Sequence, residues 1–367
     1  MPKKILCIVG TRPEAIKMAP VIRAFRQADW AETVVLSTGQ HREILHQTLG
    51  DFGLSVDIDL QLMQQNQSLG ALTARIFEHL DPVLGETAAD LVLAQGDTTT
   101  VMVASVLSFY RRILFGHVEA GLRTFDLENP FPEEFNRVVT GRIAAVHFAP
   151  TAKARDNLLA EGIAAGTVHV TGNTVIDALL DTAGRVEPAP MLLEGTRRLV
   201  LVTAHRRENF GEPIRRICAA LRRLHEQFPD VTIVYPVHPN PNINDVVRSE
   251  LAGLDRVVLS PPVGYREMVG LLKAADLILT DSGGLQEEAP ALAKPVLVLR
   301  DATERPEAVD AGVVKLVGTD PDLIATETSR LLTDDAYYAS VAKGVSPYGD
   351  GLASGRIVSI ARDLLQA

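Results

Sequence analysis

The chain has 367 residues, 46% of them hydrophobic, with a mean hydropathy of +0.11 and a formal net charge of −10. That length favours two domains over one, and that composition is ample for two buried cores. The acidic balance, with no basic run, argues against nucleic acid and anionic membrane surfaces, while a few clustered arginines still suffice for a small anionic ligand. Only two cysteines, Cys7 and Cys218, are present, with neither a disulfide framework nor a zinc spacing. The opening MPKKILCIVG reads as a strand rather than a signal peptide, and the apolar stretch Val101 to Tyr110 is too short for a bilayer and meets Arg111-Arg112. The expectation is a cytoplasmic protein.

Lys4 to Val9 is a parallel-type strand that ends at Gly10. Thr11 and Glu14 have capping-box spacing, and Pro13 suits a first helical turn. Arg12 then points at whatever lies above that strand, with Lys17 further along the helix. A second strand, 33–38, leads through Gly39-Gln40-His41-Arg42-Glu43 into a helix to about residue 50, and 69–88 reads as another helix. Asp57 and Asp59 have the spacing of a metal-binding acidic pair but no further acidic partner at hand, so a solvated strand edge is preferred, and Asp320 with Asp322 receives the same reading. Strand 91–94 ends in Gly96-Asp97-Thr98-Thr99-Thr100 before a buried helix, 101–110, and strand 113–118 delivers Glu119. Pro132 opens a helix carrying Glu133 and Glu134, which either complement its dipole or join Asp97 and Glu119 above one sheet edge. Carboxylates gathered in that way become proton-transfer groups.

Thr171-Gly172-Asn173-Thr174 breaks the strand–helix alternation, and the domain boundary is placed near residue 171. Residues 1–170 and 171–353 then read as two doubly wound, Rossmann-like α/β units, with the last helix, 354–367, crossing back to the first. The absence of GxGxxG after the first strand speaks against a dinucleotide. In the second half, strand 199–203 ends in Thr203-Ala204-His205-Arg206-Arg207, where cations beside the histidine suit a diphosphate. His238 either faces a ligand or serves the proline-rich turn 236–242, which the prolines favour. The densest stretch is 276–307. Strand 277–279 stops at Thr280-Asp281-Ser282, and Gly283 and Gly284 open a helix with Glu287 and Glu288. A second strand, 296–299, ends in Arg300, Asp301, Glu304 and Arg305. Unpaired helix-end amides, approachable through glycine, make an anion site, and the glutamates suit sugar hydroxyls. Together these parts suggest a nucleotide diphosphate.

The runs GTRPEAIKMAP (10–20), GDTTT (96–100), HVEAGLRT (117–124), PEEFNR (132–137), TGNTVIDAL (171–179), TAHRREN (203–209), DSGGLQEEAP (281–290) and RDATERPEAV (300–309) resemble the bacterial non-hydrolysing UDP-N-acetylglucosamine 2-epimerases, nearly end to end and in register. The resemblance implies a GT-B type fold of two Rossmann-like domains facing a central cleft. It also implies a homodimer and interconversion of UDP-GlcNAc and UDP-ManNAc without a cofactor or metal, supplying cell-surface polysaccharide. It places the catalytic carboxylates on Asp97, Glu119 and Glu133, with His205 in the catalytic set. Diphosphate and substrate contacts fall on Arg12, Lys17, Arg137, Ser282, Gly283, Gly284 and Arg305, and the ribose on Glu288. A second, regulatory UDP-GlcNAc site in the family maps to Gln40, Arg42 and His238. Glu43 and Asn66 depart from the glutamine and arginine of some members, which leaves that control open.

The implied chemistry is consistent with these groups. The hydrogen on sugar carbon 2 is not acidic, so its direct removal faces a prohibitive barrier. Departure of UDP from carbon 1 gives a glycal-type intermediate, to which UDP adds back after protonation on the other face. That route needs cations and helix-end amides on the diphosphate and carboxylates around carbon 2, with Asp97 the preferred base. The alternatives are a GT-B glycosyltransferase, a hydrolysing epimerase, a 2-epimerase of a different UDP-acetamido sugar, and a non-catalytic sugar-nucleotide sensor.

Overall fold

The computed structural model describes residues 2–39, 42–62, 67–189 and 193–366, and of residues 42–44 the backbone only. The chain divides into two compact units, Met1–Ala178 with Tyr348–Ala367, and Leu179–Pro347.

The first unit is built on a seven-stranded, all-parallel sheet: β1 (Lys3–Val9), β2 (Ala31–Ser37), β3 (Ile58–Asp59), β4 (Leu91–Gln95), β5 (Leu114–Val118), β6 (Val146–Ala149) and β7 (Val168–Val170), in the order β3-β2-β1-β4-β5-β6-β7. The crossovers are α1 (Arg12–Arg26), α2 (Arg42–Asp51), α3 (Leu69–Thr87), α4 (Thr99–Tyr110), α5 (Glu133–Ile143) and α6 (Ala152–Ala160). A parallel strand covered on both faces has to be apolar throughout, and β4 is buried at all five positions. Leu6, Ile8, Val92 and Ala94 on the sheet pack with Ile76, Leu80 and Leu84 of α3 and with Val103 and Leu107 of α4. Thr11 caps α1, and Glu14 returns to its backbone, so the capping box forms.

The second unit is a six-stranded, all-parallel sheet: β8 (Arg198–Thr203), β9 (Val231–Pro236), β10 (Val257–Ser260), β11 (Leu277–Thr280), β12 (Val296–Val298) and β13 (Val314–Leu316), in the order β10-β9-β8-β11-β12-β13. This is the Rossmann order, whose winding reverses between β8 and β11, and in such sheets ligands bind beyond the strand carboxyl ends at that point. The accompanying helices are α8 (Glu212–Gln227), α9 (Pro241–Leu251), α10 (Tyr265–Ala274), α11 (Gly283–Ala291), α12 (Pro306–Asp310), α13 (Pro321–Thr333) and α14 (Asp335–Val341). Ile214, Ile217, Leu221 and Leu224, spaced by three and four residues, form the buried stripe of α8 against the sheet.

The chain passes between units after Ala178, within α7 (Thr174–Ala183), and before Tyr348. The sequence-based boundary near residue 171 is therefore early. Residues 171–178 belong with the first unit because Asn173 and Asp177 spend their side chains there: Asn173 reaches Glu119, and Asp177 caps α15 (Ala353–Gln366) through Ala353 N at 3.2 Å and Ser354 N at 2.8 Å. Helix α15 packs against α1.

Candidate active site

In the first unit the winding reverses between β1 and β4, and their two following loops are joined by Glu14. This carboxylate is 3% exposed; it accepts hydrogen bonds from Gly10 N at 2.7 Å, Thr11 N at 2.6 Å and Thr98 Oγ1 at 2.6 Å. Burial pushes its carboxyl up, against the opposing effect of those hydrogen bonds. The loop so fixed presents Arg12 at the first turn of α1, half-buried and with no hydrogen bond or ion pair among the described residues.

Asp97 follows β4 by two residues. Arg137 holds one carboxylate oxygen, Oδ2, through Nε at 3.0 Å and Nη2 at 2.6 Å, and Asn136 Nδ2 donates to the Asp97 carbonyl at 2.8 Å. No hydrogen bond to Oδ1 comes from a described residue. The same α5 separates the two glutamates that sequence left joined. Glu134 is buried and accepts from Thr124 N and Phe125 N, both at 3.0 Å, and from Arg137 Nη1 at 3.1 Å. Glu133, the first residue of α5, is half-buried and has no such partner among the described residues.

Glu119 stands directly after β5 with φ +62°, a left-handed backbone unusual for glutamate. Its carboxylate accepts from Lys17 Nζ at 2.7 and 2.8 Å, from Asn173 Nδ2 at 2.8 Å, and from Gln95 Nε2. A methyl placed on Gly96 would lie 3.9 Å from Glu119 Oε2, so this carboxylate borders the Asp97 turn. His117 lies beneath; burial drives its imidazole down to about 3, and as a neutral ring it donates from Nε2 to Gly96 O at 2.7 Å. Lys17 is thus one half of a largely buried ion pair rather than a surface cation.

In the second unit, β8 and β11 end side by side. Asp281, fully buried, accepts at Oδ2 from His205 N, Arg206 N and Asn209 Nδ2, each at 2.8 Å. Its Oδ1 has no hydrogen-bond partner among the described residues and stands 3.4 Å from His205 Nδ1. The His205 ring stacks on His238, with centroids 5.6 Å apart and planes at 16°. Burial lowers the His205 imidazole, opposed by Asp281 and reinforced by His238 and Arg206. His238 also serves its turn, accepting at Nδ1 from Asn240 N at 3.2 Å.

Ser282 is the N-cap of α11, and Gly283 and Gly284 form its first turn, whose amides lack helical partners. A methyl on Gly283 would stand 3.5 Å from Arg206 Nη2 and 3.8 Å from Arg305 Nη2, so two guanidinium groups flank the helix end. That combination of dipole, open amides and cations is an anion cradle. Burial raises the neighbouring Glu304 carboxyl, but the hydrogen bond from Arg300 and the Arg300, Arg206 and Arg305 charges outweigh it and hold it below its ordinary value. Glu287, offered above as a sugar acceptor, is instead buried and ion-paired with Arg305 Nε. Glu288 accepts from the Tyr265 hydroxyl at 3.2 Å.

The cations after β8 that sequence offered to a diphosphate resolve to Arg206, whereas the roles of Asp281, Gln95 and Asn173 are visible only through non-local contacts. Gln40, Asn66 and the side chains of Arg42 and Glu43 fall outside the described residues. Asp57 accepts from Val35 N at 2.8 Å, and Asp320 caps α13. Among the described residues no group of three His, Cys, Asp or Glu side chains is placed to hold a metal ion, and no helix is long and apolar enough to cross a membrane.

Two Rossmann-like parallel units, one bearing carboxylates at its sheet end and the other an anion cradle, define an α/β enzyme of the GT-B type. The chain belongs to the UDP-N-acetylglucosamine 2-epimerase family, whose model matches residues 23–362. A UDP-N-acetylglucosamine 2-epimerase of Yersinia pestis is 50% identical over 370 residues, covering 98% of this chain and 98% of its own. The crystal structure of UDP-GlcNAc 2-epimerase from Neisseria meningitidis bound to UDP-GlcNAc matches with a TM-score of 0.89 and 44% identity, over 98% of this chain and all of that one. An S. aureus MnaA–UDP structure matches with a TM-score of 0.89 and 42% identity, over 99% of this chain and 97% of that chain.

Proposed function

We propose that the protein interconverts UDP-GlcNAc and UDP-ManNAc at carbon 2 by eliminating UDP to a glycal and adding it back. The observation that carries the reading is the cradle at Ser282, Gly283 and Gly284, flanked by Arg206 and Arg305, in a chain whose other unit sets Asp97 and Glu119 after neighbouring strands. The cradle takes the diphosphate, which becomes the leaving group, and Arg206 and Arg305 offset its growing charge as the carbon–oxygen bond breaks, with His205 beside them. Glu288 takes the ribose hydroxyls. Asp97 removes the carbon 2 proton through Oδ1 while Arg137 steadies Oδ2. Glu133, without a partner among the described residues, supplies the proton on the other face, and the Lys17–Glu119 pair is a fixed dipole of the same unit. The relative that binds UDP-GlcNAc supports the substrate. A homodimer and a regulatory role for His238 belong to the same reading.

The test is proton NMR of the protein with UDP-GlcNAc in deuterated water. UDP-ManNAc should appear, with deuterium at carbon 2 of both sugars. Free ManNAc accumulating with UDP points to the hydrolysing chemistry instead, and no turnover overturns the reading in favour of other UDP-sugars or a glycosyl acceptor. Asp97→Asn should lower kcat by about 100- to 10,000-fold, the usual worth of a general base, while UDP affinity in a titration stays near wild type. Turnover that survives removes Asp97 from the role.

A further inference from the structure

Glu119 adopts a left-handed backbone at φ +62°, unfavourable for a side chain with a Cβ, so something in the surroundings must over-determine it. Part of the answer is Asn173, which is 2% exposed. Its Nδ2 donates to Glu119 Oε1 at 2.8 Å, its Oδ1 accepts from Val175 N at 3.1 Å at the start of α7, and its own N donates to Tyr348 O at 2.6 Å. Tyr348 is buried and is the residue at which the chain re-enters the first unit. Asp177, one turn after Asn173, receives Ser354 N at 2.8 Å and Ser354 Oγ at 2.6 Å, and Arg356 Nη1 donates to Thr171 O at 3.0 Å. The returning segment 348–356 is therefore bolted to residues 171–177 at three points. Only one side chain lies between that junction and the Glu119 carboxylate.

We propose that Asn173 is a positioning residue for Glu119, and that the returning segment at Tyr348 and Gly349 sets Asn173 and through it the Lys17–Glu119 pair. The inference rests on the functional reading of Glu119 given above, but its mechanical half does not. Gln95 and Lys17 still hold the carboxylate, so loss of Asn173 loosens the orientation of Glu119 rather than releasing it from the site. Both places where the chain passes between units, after Ala178 and before Tyr348, then lie within a few residues of the groups that place this carboxylate.

Two variants test it. Asn173→Asp keeps the oxygen that caps α7 but removes the donor to Glu119 and sets a like charge against it. Gly349→Ala touches no group of the site; it forces alanine into φ +154° and puts a methyl 3.4 Å from Asn173 N. Asn173→Asp should reduce kcat by about 10- to 100-fold, the cost of a small misplacement, with KM for UDP-GlcNAc within about twofold of wild type. Gly349→Ala should move kcat in the same direction by less, again without a matching rise in KM. Independently of activity, amide hydrogen exchange at residues 118–121 should quicken in both variants, while the β9 and β11 amides stay unchanged. Unchanged exchange at 118–121 overturns the coupling. Altered exchange with unchanged kcat overturns the positioning role, and a uniform loss of protection throughout the first unit reduces Asn173 to a structural residue. A wild-type protein inert towards UDP-GlcNAc sinks the functional reading and leaves the exchange result to judge the coupling alone.

Discussion

Each unit closes its winding reversal with one buried carboxylate, and the two are used differently. Glu14 in the first unit accepts hydrogen bonds on both oxygens, from Gly10 N and Thr11 N on one and from Thr98 Oγ1 on the other. Asp281 in the second takes three donors on Oδ2 alone and leaves Oδ1 without a hydrogen bond, 3.4 Å from His205 Nδ1. Glu14 is a closed pin: it joins two loops and has nothing left to offer. Asp281 joins two loops with half of its carboxylate and keeps the other half facing a histidine beside the anion cradle. A group buried without a partner has a cost, and persistence of such a group at a site is best explained by use.

Conservative amides sharpen this contrast. Asparagine at 281 can keep its oxygen towards His205 N, Arg206 N and Asn209 Nδ2 and turn its NH2 to the vacant side. Asp281→Asn should therefore unfold in urea within about 1.5 kcal/mol of wild type, roughly the net worth of one hydrogen bond. Its kcat should nevertheless fall about 100-fold or more, because the NH2 offers His205 Nδ1 a donor where it faced an acceptor, and so favours the wrong imidazole tautomer. A variant that keeps its turnover would make Asp281 a second structural pin and end the distinction.

Glu14→Gln should behave in the opposite way. Both carboxylate oxygens face donors, so the amide NH2 necessarily meets one, and stability should drop by about 1–3 kcal/mol. Its pH dependence carries the sign. Burial raises the Glu14 carboxyl above its ordinary 4.5 in the folded state, so between 4.5 and the raised value the folded chain binds more protons than the unfolded one. The contribution of this group to stability is thus most favourable below 4.5 and falls as pH rises through that window. The difference between wild-type and Glu14→Gln unfolding free energies should decline with rising pH from 4.5 upward, and a difference that is flat or rising would show that the hydrogen bonds outweigh burial.

The sequence made the local half of this comparison readable and left the non-local half hidden. Apolar runs ending in Gly10, Asp97, Glu119, His205 and Ser282 announce strand ends that carry chemistry, because a buried parallel strand and its following turn are continuous in the chain. The Thr11–Glu14 capping box is readable for the same reason. What the spacing does not carry is where a side chain goes after the turn. Lys17 meets Glu119 across 102 residues, Asn209 meets Asp281 across 72, and Asn173 meets Glu119 across 54. Glu133 and Glu134 are equivalent in a sequence, and only the Thr124 and Phe125 amides distinguish them, by taking Glu134 inside. The burial of Glu287 is hidden for a similar reason, since its partner Arg305 lies beyond the next strand.

The smallest effect lies at the cradle itself, where two arginines flank one helix end with different attachments. Arg305 is bound to Glu287, which is 2% exposed, whereas among the described residues the Arg206 guanidinium pairs only with the half-exposed Glu304 at 3.8 Å. Truncating Arg305 strands a buried charge, so loss of binding and loss of stability are mixed in Arg305→Met. Arg206→Met separates them. Glu304 can be solvated, and surface ion pairs are worth about 0–1 kcal/mol, so the thermal midpoint should hardly change. A lost charge-assisted contact to phosphate, worth about 1.5–3 kcal/mol, should raise the UDP dissociation constant about 10- to 100-fold in calorimetry. The affinity of uridine, which lacks the phosphates, should stay unaltered. Equal weakening for uridine and UDP would mean that Arg206 shapes the loop after β8 rather than meeting the anion, and the cradle would then rest on Arg305 and the α11 amides.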